Sequence, residues 1–369
     1  MLFAEKNFSH LNTITAGLRK ILFGVFSDSC PDRWGRLLMK RREAILAKQE
    51  KRKPKVLFES DFLLGVFDQA RMGALRFSRE KGGPFLSEDK ELSTPPWTTL
   101  RSLENATFAF ENDESGADNK WLKQLLAPGS SLGGARPKAT VQAPDGALWI
   151  AKFPSKHDEW DSGAWEMVIH ELAKLCALNV PEAKLEHFSN NGSTFLVKRF
   201  DRNKGGRIHF TSAMTLLGKT DGASGTDGTS YLDIVSFLKS NGAKPKQDLL
   251  ELWKRIVFSI AVSNTDDHLR NHAFIMTAEG WKLSPMYDVN PNIYGDTLSL
   301  NITEDDNRLL FEVAIDVANY FDIEAKRAQE IMDEIRTTVE HNWQPIAKNF
   351  GLSRRAIQFM EPAFDMSLK

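Results

Sequence analysis

The run Asn264-Thr265-Asp266-Asp267-His268-Leu269-Arg270-Asn271-His272 puts carboxylates, imidazoles and carboxamides within a few residues of one another. Downstream lie the apolar stretch Ala273-Phe274-Ile275-Met276, the turn Thr277-Ala278-Glu279-Gly280, and Trp281 to Asp288. If the two apolar runs pair as a hairpin, Asn271 and Asp288 meet at its open end beside Asp266. Such a pair of oxygen ligands suits magnesium, which takes a few protein oxygens together with substrate phosphates. Asp266 precedes Asn271 by the D-x-x-x-x-N spacing of a kinase catalytic loop, in which the Asp accepts a hydroxyl proton and the Asn holds metal. A solvated or capping loop is the commoner use of such a cluster. The hairpin and the downstream Asp288 favour phosphoryl-transfer chemistry.

Other segments offer what that chemistry requires. The turn Gly129-Ser130-Ser131-Leu132-Gly133-Gly134-Ala135 presents backbone amides that can cradle phosphates, although Ala135-Arg136 replaces the Gly-Lys of a Walker A loop. A flexible surface loop is the plain alternative. Lys152 ends an apolar strand between Ala151 and Phe153, where it can reach ATP phosphates or merely snorkel. Glu166 in the next helix can pair with it. Lys198-Arg199-Phe200-Asp201 then joins two halves, as a kinase hinge would beside adenine.

The elements that must position these residues follow from periodicity and breakers. Trp34, Leu37 and Leu38, then Ile45 and Leu46, predict a helix opening near Asp32. Its far end, Lys40 to Lys55, is strongly basic against Glu43 and Glu50, as a solvated helix end or a phosphate contact would be. Phe62 to Val66 and Ala74 to Phe77 are expected as short strands or buried segments. A break over 82–125 follows, rich in Gly and Pro. Ala139 to Ala151 predicts a hairpin about Pro144-Asp145-Gly146, Ser162 to Leu178 a helix, and Phe195 to Val197 a strand. Helices are expected over Tyr231 to Leu238, Leu249 to Val262 and much of Asn307 onward. The fold class is α+β, a mixed, sheet-containing half before a mainly helical one. The expected division is 1–120 as an N-terminal subdomain, 121–205 as a nucleotide-binding lobe, and 206–369 as a helical lobe carrying the catalytic loop and metal site.

Length and charge set outer limits. A chain of 369 residues exceeds one small module, and 48 Lys+Arg against 49 Asp+Glu exclude a histone-like whole-molecule field. No apolar run approaches the roughly 18 residues of a membrane span, and no secretory signal is recognised, so a cytoplasmic location without membrane contact is expected. The two cysteines, Cys30 and Cys176, are too few for a disulfide framework.

In their order, these segments resemble the HipA-family serine/threonine kinases, toxins of bacterial toxin-antitoxin pairs. The likeness is carried by Val25 to Ser29, Trp34 to Leu38, Gly73 to Phe77, Ser131 to Lys138, Ala151 to Pro154, Asn179 to Pro181, Arg199 to Arg202, Asn264 to Asn271, and Tyr287-Asp288. It implies a bilobal kinase-like fold related to lipid-kinase-type enzymes, with a D-x-H-x-x-N loop formed by Asp266, His268 and Asn271. By the same resemblance, Asp266 is the catalytic base, Asn271 and Asp288 hold Mg2+, Lys152 binds ATP phosphates, and Lys198, Phe200 and neighbouring Asp201 lie at the adenine. Ser131 is implied as the autophosphorylated serine, with Ser130 as rival and Arg136 and Lys138 placed to receive the phosphate. The implied partners are a cytosolic protein substrate of the aminoacyl-tRNA synthetase class, a small DNA-binding antitoxin that brings DNA indirectly, and a separately encoded N-terminal subunit as in split members. Gly134-Ala135-Arg136-Pro137-Lys138 departs from the family's Gly-Ala-Gln-x-Lys by an added charge and a proline.

Two other classes fit part of the pattern. A metal-dependent phosphohydrolase would use Asp266, Asp267, His268, His272 and Asp288, leaving Lys152 and the glycine turn without a task. A non-catalytic scaffold would bind antitoxin and DNA through the Lys40 to Lys55 stretch, yet the metal-ligand residues are all present.

Overall fold

The computed structural model describes residues 22, 24–87, 94–112, 125, 136–203 and 206–369. Ser130, Ser131, Leu132, Gly133, Gly134 and Ala135 lie outside these residues.

Helix α1, Arg33–Gln49, begins where expected: Asp32 caps it, its carboxylate accepting from the Gly35 amide at 2.6 Å. At the basic far end Arg52 folds back onto Glu43 and Glu50, so the positive stretch is partly neutralised. Phe62 to Val66 is not a strand but falls largely within helix α2, Glu59–Gly65, with Phe62, Leu63 and Val66 buried at helical spacing. A short apolar run does not distinguish the two periods. Ala74 to Phe77 forms no strand either, while helix α3, Leu100–Glu111, buries Leu100, Leu103 and Ala106.

The first sheet is antiparallel, in the order β1-β2-β4-β3. Its strands are β1 Lys138–Gln142, β2 Leu148–Lys152, β3 Ala183–Ser189 and β4 Gly192–Lys198. Alternation gives it two different faces. Ala139, Val141, Trp149, Ala151 and Leu196 pack with Trp34 and Leu38 of α1 and Leu100 and Leu103 of α3. The opposite face carries Lys138 directly across from Lys152, and Ile150 across from Val197. Helix α4, Ser162–Leu175, contributes Met167 to this second face, against Phe195 and Val197. Asp161 fixes its start by capping the Ala164 amide and accepting from the Ser193 amide and hydroxyl. Gly163 lies so close to β4 that a Cβ would stand 2.1 Å from the Ser193 carbonyl oxygen.

The second half is built around helices α5 Tyr231–Asn241, α6 Pro245–Ala261, α7 Phe311–Asp316, α8 Ala325–Asn349 and α9 Arg354–Met360. They share the largest apolar core, with Trp253 fully buried and its indole N–H donating to the Ala314 carbonyl at 2.8 Å. Strands β5 Phe210–Ser212, β6 Ala273–Thr277 and β7 Gly280–Leu283 form a small sheet against this core. The β6–β7 hairpin closes with Thr277 opposite Gly280, as the turn residues predict. The architecture is a sheet-rich first lobe and a helical second lobe, and no helix among the described residues is long and apolar enough to cross a membrane.

Candidate active site

A cleft of about 1030 Å³ is lined by residues of both lobes, including Lys152, Glu166, Asp266, His268, Asn271 and Asp288. Each of these was expected from sequence, and different elements deliver them. Strand β2 ends at Lys152, whose ammonium donates to Glu166 at 2.5 Å and to Asp288 at 2.6 Å. Glu166 reaches it because Asp161 and Gly163 set the first turn of α4 tightly on β4. Asp288 follows β7 in a left-handed backbone conformation, φ 59°, uncommon for a residue with a side chain and frequent at functional positions.

The loop carrying Asp266 starts at the end of α6 and is braced from beneath. Tyr231 donates its hydroxyl to Asp267 at 2.6 Å, and His272 Nε2 stands 3.1 Å from the other oxygen of the same buried carboxylate. The Asn264 carboxamide bonds the Ser259 hydroxyl and the Asn290 amide. The Asn271 carboxamide nitrogen donates to the Asp266 carbonyl at 2.9 Å and to the Asp288 carbonyl at 3.5 Å. Asn271 thus joins the two acidic segments at the hairpin's open end, as its spacing implied.

Electrostatics separates the carboxylates. Burial raises the Asp266 carboxyl above its ordinary range, with His268 opposing and Asp288 and Asp267 reinforcing the rise. Burial also acts to raise Asp288, but Lys152 and then Lys138 outweigh it and hold this carboxyl at about 2. Glu166 is raised by burial, only partly offset by Lys152. Burial disfavours the Lys152 charge, yet Asp288 and Glu166 overcome that and hold the ammonium above its usual range. At neutral pH the cleft therefore offers a fixed cation, a firmly ionised Asp288 and an Asp266 more basic than an ordinary aspartate.

These groups fit magnesium. With its nitrogen engaged by backbone carbonyls, Asn271 turns its carboxamide oxygen to any ligand, beside the Asp288 carboxylate, which is a third exposed. Among the described residues no cluster of three or more His, Cys, Asp or Glu side chains is arranged to hold a metal. A site completed by phosphate oxygens and water, rather than a protein cage, matches this donor set. The phosphohydrolase arrangement is not met: beneath the loop Asp267 accepts from the Tyr231 hydroxyl and faces His272 at 3.1 Å.

The hinge residues divide. Lys198, Arg199 and Phe200 line the cleft, Phe200 near the rings of Phe210 and Tyr287, while the Lys198 ammonium pairs with Glu182 at 3.0 Å. Asp201 is absent from the cleft wall. It is fully buried, paired with Arg199 and Arg202, and accepts from the Gly73 amide at 2.7 Å, which ties 70–73 to the hinge. Nor are Arg136 and Lys138 free to receive a phosphate. Arg136 makes two bonds to Asp158, and Lys138 is buried against Asp32 at 3.0 Å.

Sequence reading missed the apolar wall of Ile150, Val197, Met286 and Val289, which can face a flat ring system. The signal was there for two of them: alternation puts Ile150 on the face of Lys152, and Val197 is its cross-strand neighbour.

A profile of the HipA-like C-terminal domain matches residues 130–343, more than half of the chain. Y4mE of Sinorhizobium fredii is 30% identical over 183 residues, 43% of this chain and 41% of that protein. Y4dM of the same organism is 25% identical over 280 residues, 70% of this chain and 62% of that protein. The serine/threonine-protein kinase toxin HipA of Shewanella oneidensis is 29% identical over 153 residues, 36% of this chain and 34% of that protein. The chain thus spans about two fifths to three fifths of the length of the first two relatives. In fold it is similar to a chain of the Shewanella oneidensis complex of HipA, HipB and operator DNA, with a TM-score of 0.53 at 18% identity, covering 63% of this chain and 62% of that one. With the profile spanning the hinge, the Asp266 loop and Asp288, the protein belongs to the HipA family of toxin-type kinases.

Proposed function

We propose that the protein is an ATP- and Mg2+-dependent serine/threonine protein kinase, the toxin of a toxin-antitoxin pair. The observation that carries this reading is Lys152 bridging Glu166 and Asp288 in one cleft with Asp266 and Asn271. The lysine-glutamate pair and the metal-binding aspartate are parts that phosphoryl transfer requires together. ATP would place its base against Ile150, Val197, Met286 and Val289, beside Lys198 and Phe200, and its phosphates toward Lys152. Mg2+, held by Asn271 and Asp288, would neutralise charge on the phosphate oxygens. Asp266 takes the proton of the acceptor hydroxyl as its oxygen bonds to the γ-phosphorus, and ADP departs. His268, two residues on in the loop, lines the same space.

The proposal extends to a cytosolic protein substrate, with aminoacyl-tRNA synthetases the first class to assay, and to a small DNA-binding antitoxin. It includes autophosphorylation at Ser131, with Ser130 as rival, and the division at about 120 and 205. Purified protein with labelled ATP and Mg2+ tests it. Wild type is expected to label itself or a substrate, and Asp266→Ala to lose roughly a thousandfold or more while retaining its fold. Undiminished transfer in Asp266→Ala would remove the kinase assignment.

A further inference from the structure

Beyond the nucleotide-contacting groups, the cleft continues along one face of α1. Arg33, Leu37 and Lys40 all line it, and all three are exposed, with Leu37 at 49%. They recur at helical spacing, so they share a stripe. Arg270, in the Asp266 loop, lines the same space. Its carbonyl accepts from the Tyr287 hydroxyl at 2.6 Å, and its guanidinium donates to both oxygens of the exposed Asp221 at 3.3 Å.

Nearby acids do not neutralise this stripe. Asp32 is buried, caps α1 and pairs with Lys138, and Asp28 holds the amide and hydroxyl of Ser212. Glu59 is taken up by two bonds to Arg36. Among the described residues Arg33 and Lys40 have no acidic partner. Two cations with no acidic partner among the described residues, and an exposed leucine between them, therefore line the same cleft as Asp266.

We propose that this stripe is the docking site for the acceptor segment of the protein substrate, and that it selects an acceptor serine or threonine flanked by acidic residues around an apolar one. The inference rests on the kinase reading for its chemistry, but its recognition is separately measurable. The seven helical steps from Arg33 to Lys40 span about 10 Å, which roughly three to four residues of extended chain cover. Side chains two positions apart share one face of an extended chain, so the substrate is expected to present acids about four positions apart, with the apolar side chain midway between them over Leu37. Charge complementarity favours this occupant over a basic or neutral segment.

The test is fluorescence anisotropy of labelled serine peptides with the full-length protein, at low and moderate salt. The acidic-apolar-acidic peptide is expected to bind about three- to tenfold more tightly than its glutamine counterpart, a preference that weakens with salt. Arg33→Gln/Lys40→Gln should abolish the difference, and Arg33→Glu/Lys40→Glu should reverse it toward a lysine-flanked peptide. Equal binding of acidic and neutral peptides, or preference unchanged in both variants, would overturn the proposal. So would an RNA oligonucleotide displacing the peptide at lower concentration, since the stripe would then be a nucleic-acid surface. ATP binding by calorimetry separates the two readings: peptide selectivity without ATP binding sinks the kinase assignment and leaves the docking site standing, and the converse does the reverse.

Discussion

Removing the Lys152 ammonium would leave Glu166 and Asp288 facing each other with no cation between them. Breaking a buried pair from one side costs about 3–5 kcal/mol, toward the lower end here because Asp288 is a third exposed. Lys152→Ala is therefore expected to lower the melting temperature as well as ATP affinity. Lys152→Met with Glu166→Gln should recover most of the melting temperature and none of the affinity; recovery of both, by calorimetry, would make the lysine purely structural. The acids separate by pH. Asp266, raised above its ordinary 3.8, must be ionised to accept a proton, so activity should fall on the acid side at a pH above that value. Asp288, depressed to about 2, contributes stability that is present above 3.8 and is lost only as pH falls toward about 2. A pH-rate profile with parallel circular dichroism should show activity disappearing reversibly before structure does. Asp266, Asn271 and Asp288 were legible because their spacing is local to one loop and one hairpin. The pairing of Lys138 with Asp32 was not, since nothing local says that α1 folds onto β1.

At the scale of elements, the setting of α4 on β4 decides whether Glu166 reaches Lys152. Gly163→Ala would drive a methyl to within 2.1 Å of the Ser193 carbonyl oxygen, so the helix must shift. Overpacking of this kind costs about 1–3 kcal/mol. The expected result is a lower melting temperature together with weakened ATP binding, although the residue touches neither Lys152 nor the cleft wall; unchanged values for both would show that α4 has room to move. Both hairpins and α4 were readable in the sequence because alternation, turn residues and caps are short-range signals. For Phe62 to Val66 the sequence leaves strand and buried segment open, because so short an apolar run carries too few residues to reveal its period, and the structure shows the buried segment, largely in α2. The role of Asp201 was hidden for another reason: its bonds to the Gly73 amide and Arg199 depend on a segment 128 residues earlier folding against the hinge.

Across the whole molecule, the cleft draws its groups from both lobes, so a ligand filling it should stabilise the chain as a unit. Saturating Mg2+ and ATP at about a hundred times the dissociation constant would add about 2.7 kcal/mol. At about 2.1 cal/mol/K per residue, a 369-residue unit shifts by roughly 1.3 °C per kcal/mol, so a thermal shift of about 3–4 °C is expected. Asp288→Ala should lose most of that shift when Mg2+ is present; an equal shift in both proteins would show that Asp288 does not hold the metal. The contact between Lys152 and Asp288 joins residues 136 positions apart. A ribosome still translating the region before residue 288 displays Lys152 and Glu166 without their third charge. On the proposed reading, a growing chain is harmless to the cell that makes it, and toxicity begins only once synthesis has passed the hairpin and the helical lobe has closed behind it.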